Sequence, residues 1–211
     1  MWPEQDITQE LIAGAREGND TALNALLDRH RDSLRRMIEM RLDRKIRRRV
    51  DVSDIVQDVL IEANRRLPDY LREQKMPFHL WLRHMARDRI IDAHRRHRRS
   101  AKRSVDREQA PAEFDRSTLE LAAQLCDQGA SPSRVAGMQE LAERFQLALE
   151  QLEENDREVL TMRHFEQLTN QEVAIALELS EPAASMRYLR ALRRLRELIA
   201  QTTDLSLGDA E

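Results

Sequence analysis

With 211 residues, five glycines, six prolines and abundant Leu, Ala, Arg and Glu, the chain has the composition of an all-α protein of one or two domains, and no window alternates in the manner of a strand. Charged residues make up 35% of it, yet the net charge is only -3, because basic runs at 41–49, 83–103 and 187–196 alternate with acidic stretches at 106–128 and 140–158. Such local patches steer nucleic-acid binding more than the total charge does. The single Cys126 excludes an internal disulfide and a thiolate metal cluster, and neither a membrane-length apolar run nor a signal pattern is present, so a cytoplasmic location is expected.

The chain opens with a short predicted helix over 6–17 carrying Leu11, Ile12 and Ala15. Gly18-Asn19-Asp20 then reads as a stop followed by an N-cap, Asn19 or Asp20. The second helix carries Leu23, Leu26, Leu27, Leu34, Met37, Ile38 and Leu42. The basic run RLDRKIRRRVD closes it, as suits a helix C-terminus, and could also meet phosphate.

Asp51 or Ser53 caps the next helix, DVSDIVQDVLIE. Val52, Ile55, Val56, Val59, Leu60 and Ala63 recur at helical spacing and form a core stripe. Asp54, Gln57, Asp58 and Ile61 line the opposite side. Acid, amide, acid and an outward aliphatic make an unusual solvent face, and it reads as a docking surface.

This helix is expected to end before Pro68, leaving a proline-bracketed loop over 68–77. A long helix restarts at Pro77-Phe78 and runs to about Arg99. Phe78, Trp81, Leu82, Met85 and Ala86 face a core, whereas His84, Arg87, Asp88, Ile91 and Arg95 lie on another side. Aromatics beside cations are what unpaired bases stack on. Phe78 and Trp81 read better as plain core, with Tyr70 and the loop left open to such a role.

Residues 100–130 have little to bury and read as a linker, with a short helix around Leu119–Leu125. Ser131-Pro132 restarts helix, and Val135, Met138, Leu141, Ala142, Phe145, Leu149 and Leu152 give its period. Asp156 is expected to cap the next helix, bearing Val159, Leu160 and Met162. Thr169-Asn170-Gln171-Glu172 is a capping box. Ser180-Glu181-Pro182 opens a last helix through about Ala200, and the tail 201–211 is expected to be disordered.

The segments 169–178 and 180–197 have the dimensions of a helix-turn-helix, a short capped helix before a longer basic one. Helical hairpins are common, so the second basic helix at 78–99 adds to the signal. Other constellations are weaker. His94 and His97 are helical neighbours in an arginine run that opposes a metal cation. Asp54 and Asp58 lack the third ligand or buried His that catalysis would need. No cofactor is expected.

Taken in order, LIAGAREGNDTAL, DVSDIVQDVLIEA, FHLWLRHMARDRIIDAHRRHRR and LEENDREVLTMRHFEQLTNQEVAIALELSEPAASMRYLRALRRLREL resemble a bacterial RNA polymerase sigma factor. The likeness is to the extracytoplasmic-function (group IV) type of the sigma-70 family, which keeps only regions 2 and 4. It covers nearly all of the chain except the linker and tail. The resemblance implies two small helical domains, region 2 at 1–99 and region 4 at 131–200, joined by the linker 100–130 that threads towards the polymerase active site.

It further implies that Asp54, Gln57, Asp58 and Ile61 dock on the β′ clamp helices of core RNA polymerase, and that the second domain meets the β flap. Tyr70, Lys75, His84, Arg87, Asp88, Ile91 and Arg95 correspond to elements that open and read the −10 promoter DNA. Ser180, Ala183, Ser185, Met186, Arg187 and Arg190 correspond to −35 contacts. An anti-sigma factor is a further implied partner, and no membrane insertion is expected.

The chain departs from the family at three places. Asp88 stands where Asn is usual; ionised Asp only accepts hydrogen bonds, so a −10 base presenting an amino donor is expected. Glu178 stands where the turn usually has Gly. A left-handed residue there would cost roughly 1–2 kcal/mol, so a differently built turn is expected. Pro182-Ala183-Ala184 replaces a more typical Gly-Thr-Val. The reading is therefore a non-enzymatic promoter-specificity subunit. Its rivals are a helix-turn-helix regulator, which would need a ligand or dimerisation domain, and a polymerase-binding adaptor, which Arg187 and Arg190 argue against.

Overall fold

Gly18 ends α1 (Gln5–Arg16) with φ 79°. Asn19, not Asp20, opens α2 (Asp20–Arg41), its side-chain oxygen accepting the N–H groups of Thr21 and Ala22 at 3.0 and 3.1 Å. α1 packs on α2 so closely that a Cβ at Gly14 would lie 2.8 Å from that of Ala22. These elements come from a computed structural model that describes residues 2–42, 46, 49–101 and 136–208, the side chains of 97–101, 136–143 and 202–208 excepted. Most of the basic run 41–49, the expected linker helix, Cys126 and Ser131-Pro132 lie outside the described residues.

The chain divides into two compact units, Met1–Arg107 and Glu108–Glu211. In the first, Asp51 caps α3 (Val52–Glu73), accepting the Ser53 N–H at 2.8 Å. α4 (Phe78–Ala101) follows, and α2, α3 and α4 pack on one another. Ile55, Val56, Val59, Leu60 and Ala63 are buried, as their spacing predicts, against Leu34, Ile38, Phe78, Leu82 and Ala86. His30 is buried with them. Burial holds its pKa down to about 4, against the opposing effect of its Nδ1 bond to the Leu26 carbonyl, and His79 and Arg29 lower it further.

Pro68 does not end α3. The helix continues through it to Glu73, and the loop expected over 68–77 shrinks to Gln74–Pro77, with Gln74 left-handed at φ 37°. A proline inside a helix frees the carbonyl four residues earlier. Here Pro68 and Asn64 are both exposed, so the interruption faces solvent. The inner face loses nothing: Leu67 and Tyr70 extend the stripe of Val59, Leu60 and Ala63 by a further turn and are buried.

In the second unit, α5 (Ala136–Gln151), α6 (Glu154–Leu160) and α7 (Asn170–Ala176) pack against α8 (Glu181–Gly208). Asp156 does not cap α6. The cap lies three residues earlier, at Glu153, and the Arg157 guanidinium spans the reversal before it, donating to the carbonyls of Leu149, Glu150 and Leu152 at 2.8, 2.7 and 3.0 Å. α6 widens into a π-helical turn, Thr161–Phe165, closed by the Glu166 N–H on the Thr161 carbonyl at 3.0 Å. α8 continues beyond Ala200 to Gly208, so the first part of the segment expected to be disordered is helical; no Gly or Pro interrupts it before that position.

Candidate docking and nucleic-acid interfaces

Three exposed stripes carry the residues singled out in the sequence. On α3, Asp54, Gln57, Asp58 and Ile61 are all exposed, and Ile61 is 60% exposed despite its aliphatic side chain. Asp54 lies in the first turn, where an anion interacts favourably with the helix dipole, typically by about 0.3–1 kcal/mol. Gln57 and Asp58 lie beyond that turn. Neither helix formation nor core packing accounts for them, and nothing local requires an aliphatic at 61.

The face is bordered by charge. Glu62 meets Arg65 at 2.9 Å, Arg66 at 2.5 Å and, across to α4, Arg89 at 3.7 Å. Partial burial disfavours its charged form, but these arginines outweigh that effect and hold its pKa below the usual carboxylate range.

On α4, His84, Arg87, Asp88, Ile91 and Arg95 recur along one side. His84 and Arg87 are half-buried, Asp88 and Arg95 exposed, and Ile91 is 42% exposed. Lys75 sits exposed in the short loop before α4, its Nζ 2.8 Å from the Glu73 carboxylate. An exposed pair of this kind contributes little, so Lys75 remains available to an outside anion.

Tyr70 belongs to none of these faces. Its side chain is buried, its ring packs 5.3 Å from Phe78 and 4.7 Å from Trp81, and its hydroxyl donates to the Met76 carbonyl at 3.0 Å. Burial pushes its pKa up to about 12. A base-stacking role for Tyr70 is thereby corrected to a core role, because α3 runs on through Pro68 and turns it inward. The period 63, 67, 70 was the signal for this.

The third stripe is on α8. Thr169 and Glu172 form a reciprocal capping box at the start of α7, as its sequence predicts. Glu178 then takes φ 54°. The turn is therefore built left-handed after all, without the glycine such a turn prefers. Its flanks hold it there: Leu179 N–H bonds the Ala174 carbonyl at 2.9 Å, and Asn170 Nδ2 donates to the Glu181 carbonyl at 3.1 Å.

Ser180 caps α8, its hydroxyl accepting the Ala183 N–H at 3.3 Å. Ala184, Ala191, Leu195, Leu198 and Ile199 are buried on the inner side. Ala183, Met186 and Arg190 are exposed on the outer side, with Ser185 and Arg187 half-buried at its margins. Leu189, 53% exposed beside Met186, was not singled out; its place between the inward positions 184, 188, 191 and 195 is what marks it as outward.

Among the described residues no group of three or more His, Cys, Asp or Glu is placed to hold a metal ion, and no helix is long and apolar enough to cross a membrane. The arrangement offers two chemistries: an acidic-amide face with an apolar tip, and two basic helical stripes carrying a few uncharged side chains.

Residues 26–100 match the family model of Sigma-70 region 2, and residues 142–195 match that of Sigma-70, region 4. The ECF RNA polymerase sigma factors SigD of Mycobacterium tuberculosis and Mycobacterium bovis are 27% identical over 194 residues, spanning 92% of this chain and 84% of theirs. Among solved structures, CnrH in complex with the cytosolic domain of CnrY has a similar fold, with a TM-score of 0.57 at 24% identity over 93% of this chain and 99% of that one. The sigma factor RpoE in complex with the anti-sigma factor NepR, from Bartonella quintana, gives 0.50 at 20% identity over 81% and 91%.

Proposed function

Since this chain belongs to the sigma-70 family, as a factor of the extracytoplasmic-function type that directs transcription initiation, we propose that its three exposed stripes divide that task between them. Asp54, Gln57, Asp58 and Ile61 dock on the β′ clamp helices of core polymerase. The α4 stripe, with Lys75, opens and reads the −10 element. The outer side of α8 reads the −35 element. Residues 1–99 thus act with polymerase and the −10 DNA, residues 131–200 with the β flap and the −35 DNA, and 100–130 joins them. The place of action is the cytoplasm, where polymerase and promoter meet.

The observation that carries the docking assignment is the exposed Asp54–Gln57–Asp58–Ile61 row set back to back with a buried stripe on the same helix. Anionic groups beside an exposed aliphatic suit a partner surface with basic and apolar patches. On the DNA side, arginines at phosphate give salt-dependent affinity, while Met186 and Leu189 can meet thymine methyl groups. Neither unit needs to bind DNA tightly alone, because polymerase holds both and raises their effective concentration.

One solved neighbour was captured with an anti-sigma factor. A protein inhibitor that covers these same faces is the corresponding partner proposed for this chain.

In vitro transcription with purified core polymerase and a promoter library tests the whole reading: promoter-directed initiation is expected, and its absence at every sequence would refute the assignments. The double variant Asp54→Ala, Asp58→Ala is expected to weaken core-polymerase binding by about 10- to 100-fold while leaving helicity unchanged. Asp88→Asn is expected to change the preferred −10 base away from one presenting an amino donor, read from the same library.

A further inference from the structure

One cluster in the second unit has no part in the assignments above. The π-helical turn Thr161–Phe165 presents Arg163 and His164 to α8. There the Tyr188 ring stacks on the His164 ring, 5.6 Å between centroids at 27°, and His164 Nε2 and the Tyr188 hydroxyl share a hydrogen bond of 2.9 Å. The Arg163 guanidinium lies over the Tyr188 ring, 5.6 Å from its centroid, and also donates to the Leu168 carbonyl at 2.5 Å, in the segment leading into α7. His164 and Tyr188 are half-buried, and burial, then Arg163, holds the His164 pKa below its ordinary value.

Tyr188 follows Arg187 directly and precedes Arg190 by two residues, so its ring lies about 100° round the helix from the Arg187 side chain and about 160° from that of Arg190. Its neighbouring inward residues are Ala184 and Ala191, which fill little volume and leave rotation about the helix axis weakly specified by packing. A ring held by a hydrogen bond, a stacking partner and a cation specifies that rotation far better. The stacking and cation contacts each have defined geometry and add to the hydrogen bond.

We infer that Tyr188, held by His164 and Arg163, is a positioning residue for promoter reading, setting the rotation of α8 and so the approach of Arg187 and Arg190 to the groove. This rests on the reading of α8 as the −35 helix. Tyr188 itself need not touch DNA. Its contribution is the fixed relation between the turn that ends α6 and the side chains of Arg187 and Arg190 on α8.

The test uses the full chain with core polymerase and a promoter library randomised at the −35 element. Tyr188→Phe keeps the ring in place and removes only the hydroxyl. It is expected to reduce discrimination between the preferred and single-base-altered −35 sequences about fivefold, with the salt dependence unchanged. His164→Ala should do the same, and His164→Gln, which restores a hydrogen-bonding group, should recover part of the loss. Arg190→Ala serves as the reference for the reading beneath.

If Arg190→Ala alters −35 selection while Tyr188→Phe and His164→Ala leave it untouched, the positioning role is wrong and the assignment of α8 stands. If none of the three alters it, both fall. A loss of stability with unchanged base preference would also overturn the inference, since that is what a merely structural contact would give.

Discussion

The two units hold their exposed faces in different ways. In the first, α3 and α4 share a core of large side chains: Phe78, Tyr70 and Trp81 meet edge-on or tilted, with His30 sealed beneath them. In the second, α8 rests near its start on Ala184 and Ala191, and α7 contributes Val173, Ala174 and Ala176. What the smaller side chains leave unspecified is supplied by polar fixtures: the Thr169–Glu172 box, the three carbonyls taken by Arg157, the Asn170 bond to Glu181, and the His164–Tyr188 pair. The first unit should therefore be sensitive to lost volume in its aromatic cluster, and the start of α8 in the second to lost hydrogen bonds and backbone geometry.

Phe78→Ala should have the largest effect. Removing a ring that is 1% exposed is expected to cost about 3–5 kcal/mol, measured by denaturant unfolding. Both tryptophans, Trp2 and Trp81, lie in the first unit, so their fluorescence follows its unfolding separately from that of the second. A cost below about 1 kcal/mol would dissolve the contrast between the units.

Acid should come next. The folded pKa of His30, about 4, lies below the ordinary 6.5, so the unfolded chain takes the proton first. The corresponding stability is fully present above pH 6.5 and is lost as pH falls towards 4, a change on the order of 3 kcal/mol. Tryptophan-detected unfolding across that window should show it, and His30→Gln should flatten the slope. An equal slope in the variant would assign the acid sensitivity to other groups.

The smallest effect should be of opposite sign. Glu178 holds φ 54°. Glu178→Gly removes the left-handed penalty but loosens the unfolded chain, leaving a net gain of about 0.5–1 kcal/mol for the second unit. Thermal unfolding followed by circular dichroism would measure it. A loss of stability would mean that the glutamate side chain contributes contacts outweighing its backbone strain.

Much of the fold was legible from side-chain spacing. The core stripe of α3, the inward Phe78, Leu82 and Ala86 of α4, the stop at Gly18 and the capping box at Thr169 all follow from short-range periodicity and from the hydrogen-bonding needs of helix ends. The exposed stripes were legible as the complement of those inward positions. The inward place of Tyr70 is less legible, because Pro68 signals a helix end that the continuing 63, 67, 70 period overrides. The start of α6 at Glu153 is not legible locally, since the residues before it form a reversal spanned by three bonds of Arg157 that local propensity does not describe.

By itself, then, the sequence determined the helical periods, the caps and which charges face outward, since each depends on residues within a turn or two of one another. Only the tertiary structure decided that α3 passes through Pro68, that the turn at Glu178 is left-handed without glycine, and that His164 meets Tyr188 across 24 residues. The local penalties are about 3 kcal/mol for an interior proline and 1–2 for a left-handed residue. Burial of Leu67 and Tyr70 on one side, and the anchored flanks of the turn on the other, offset them, and those contributions come from partners that no local window contains.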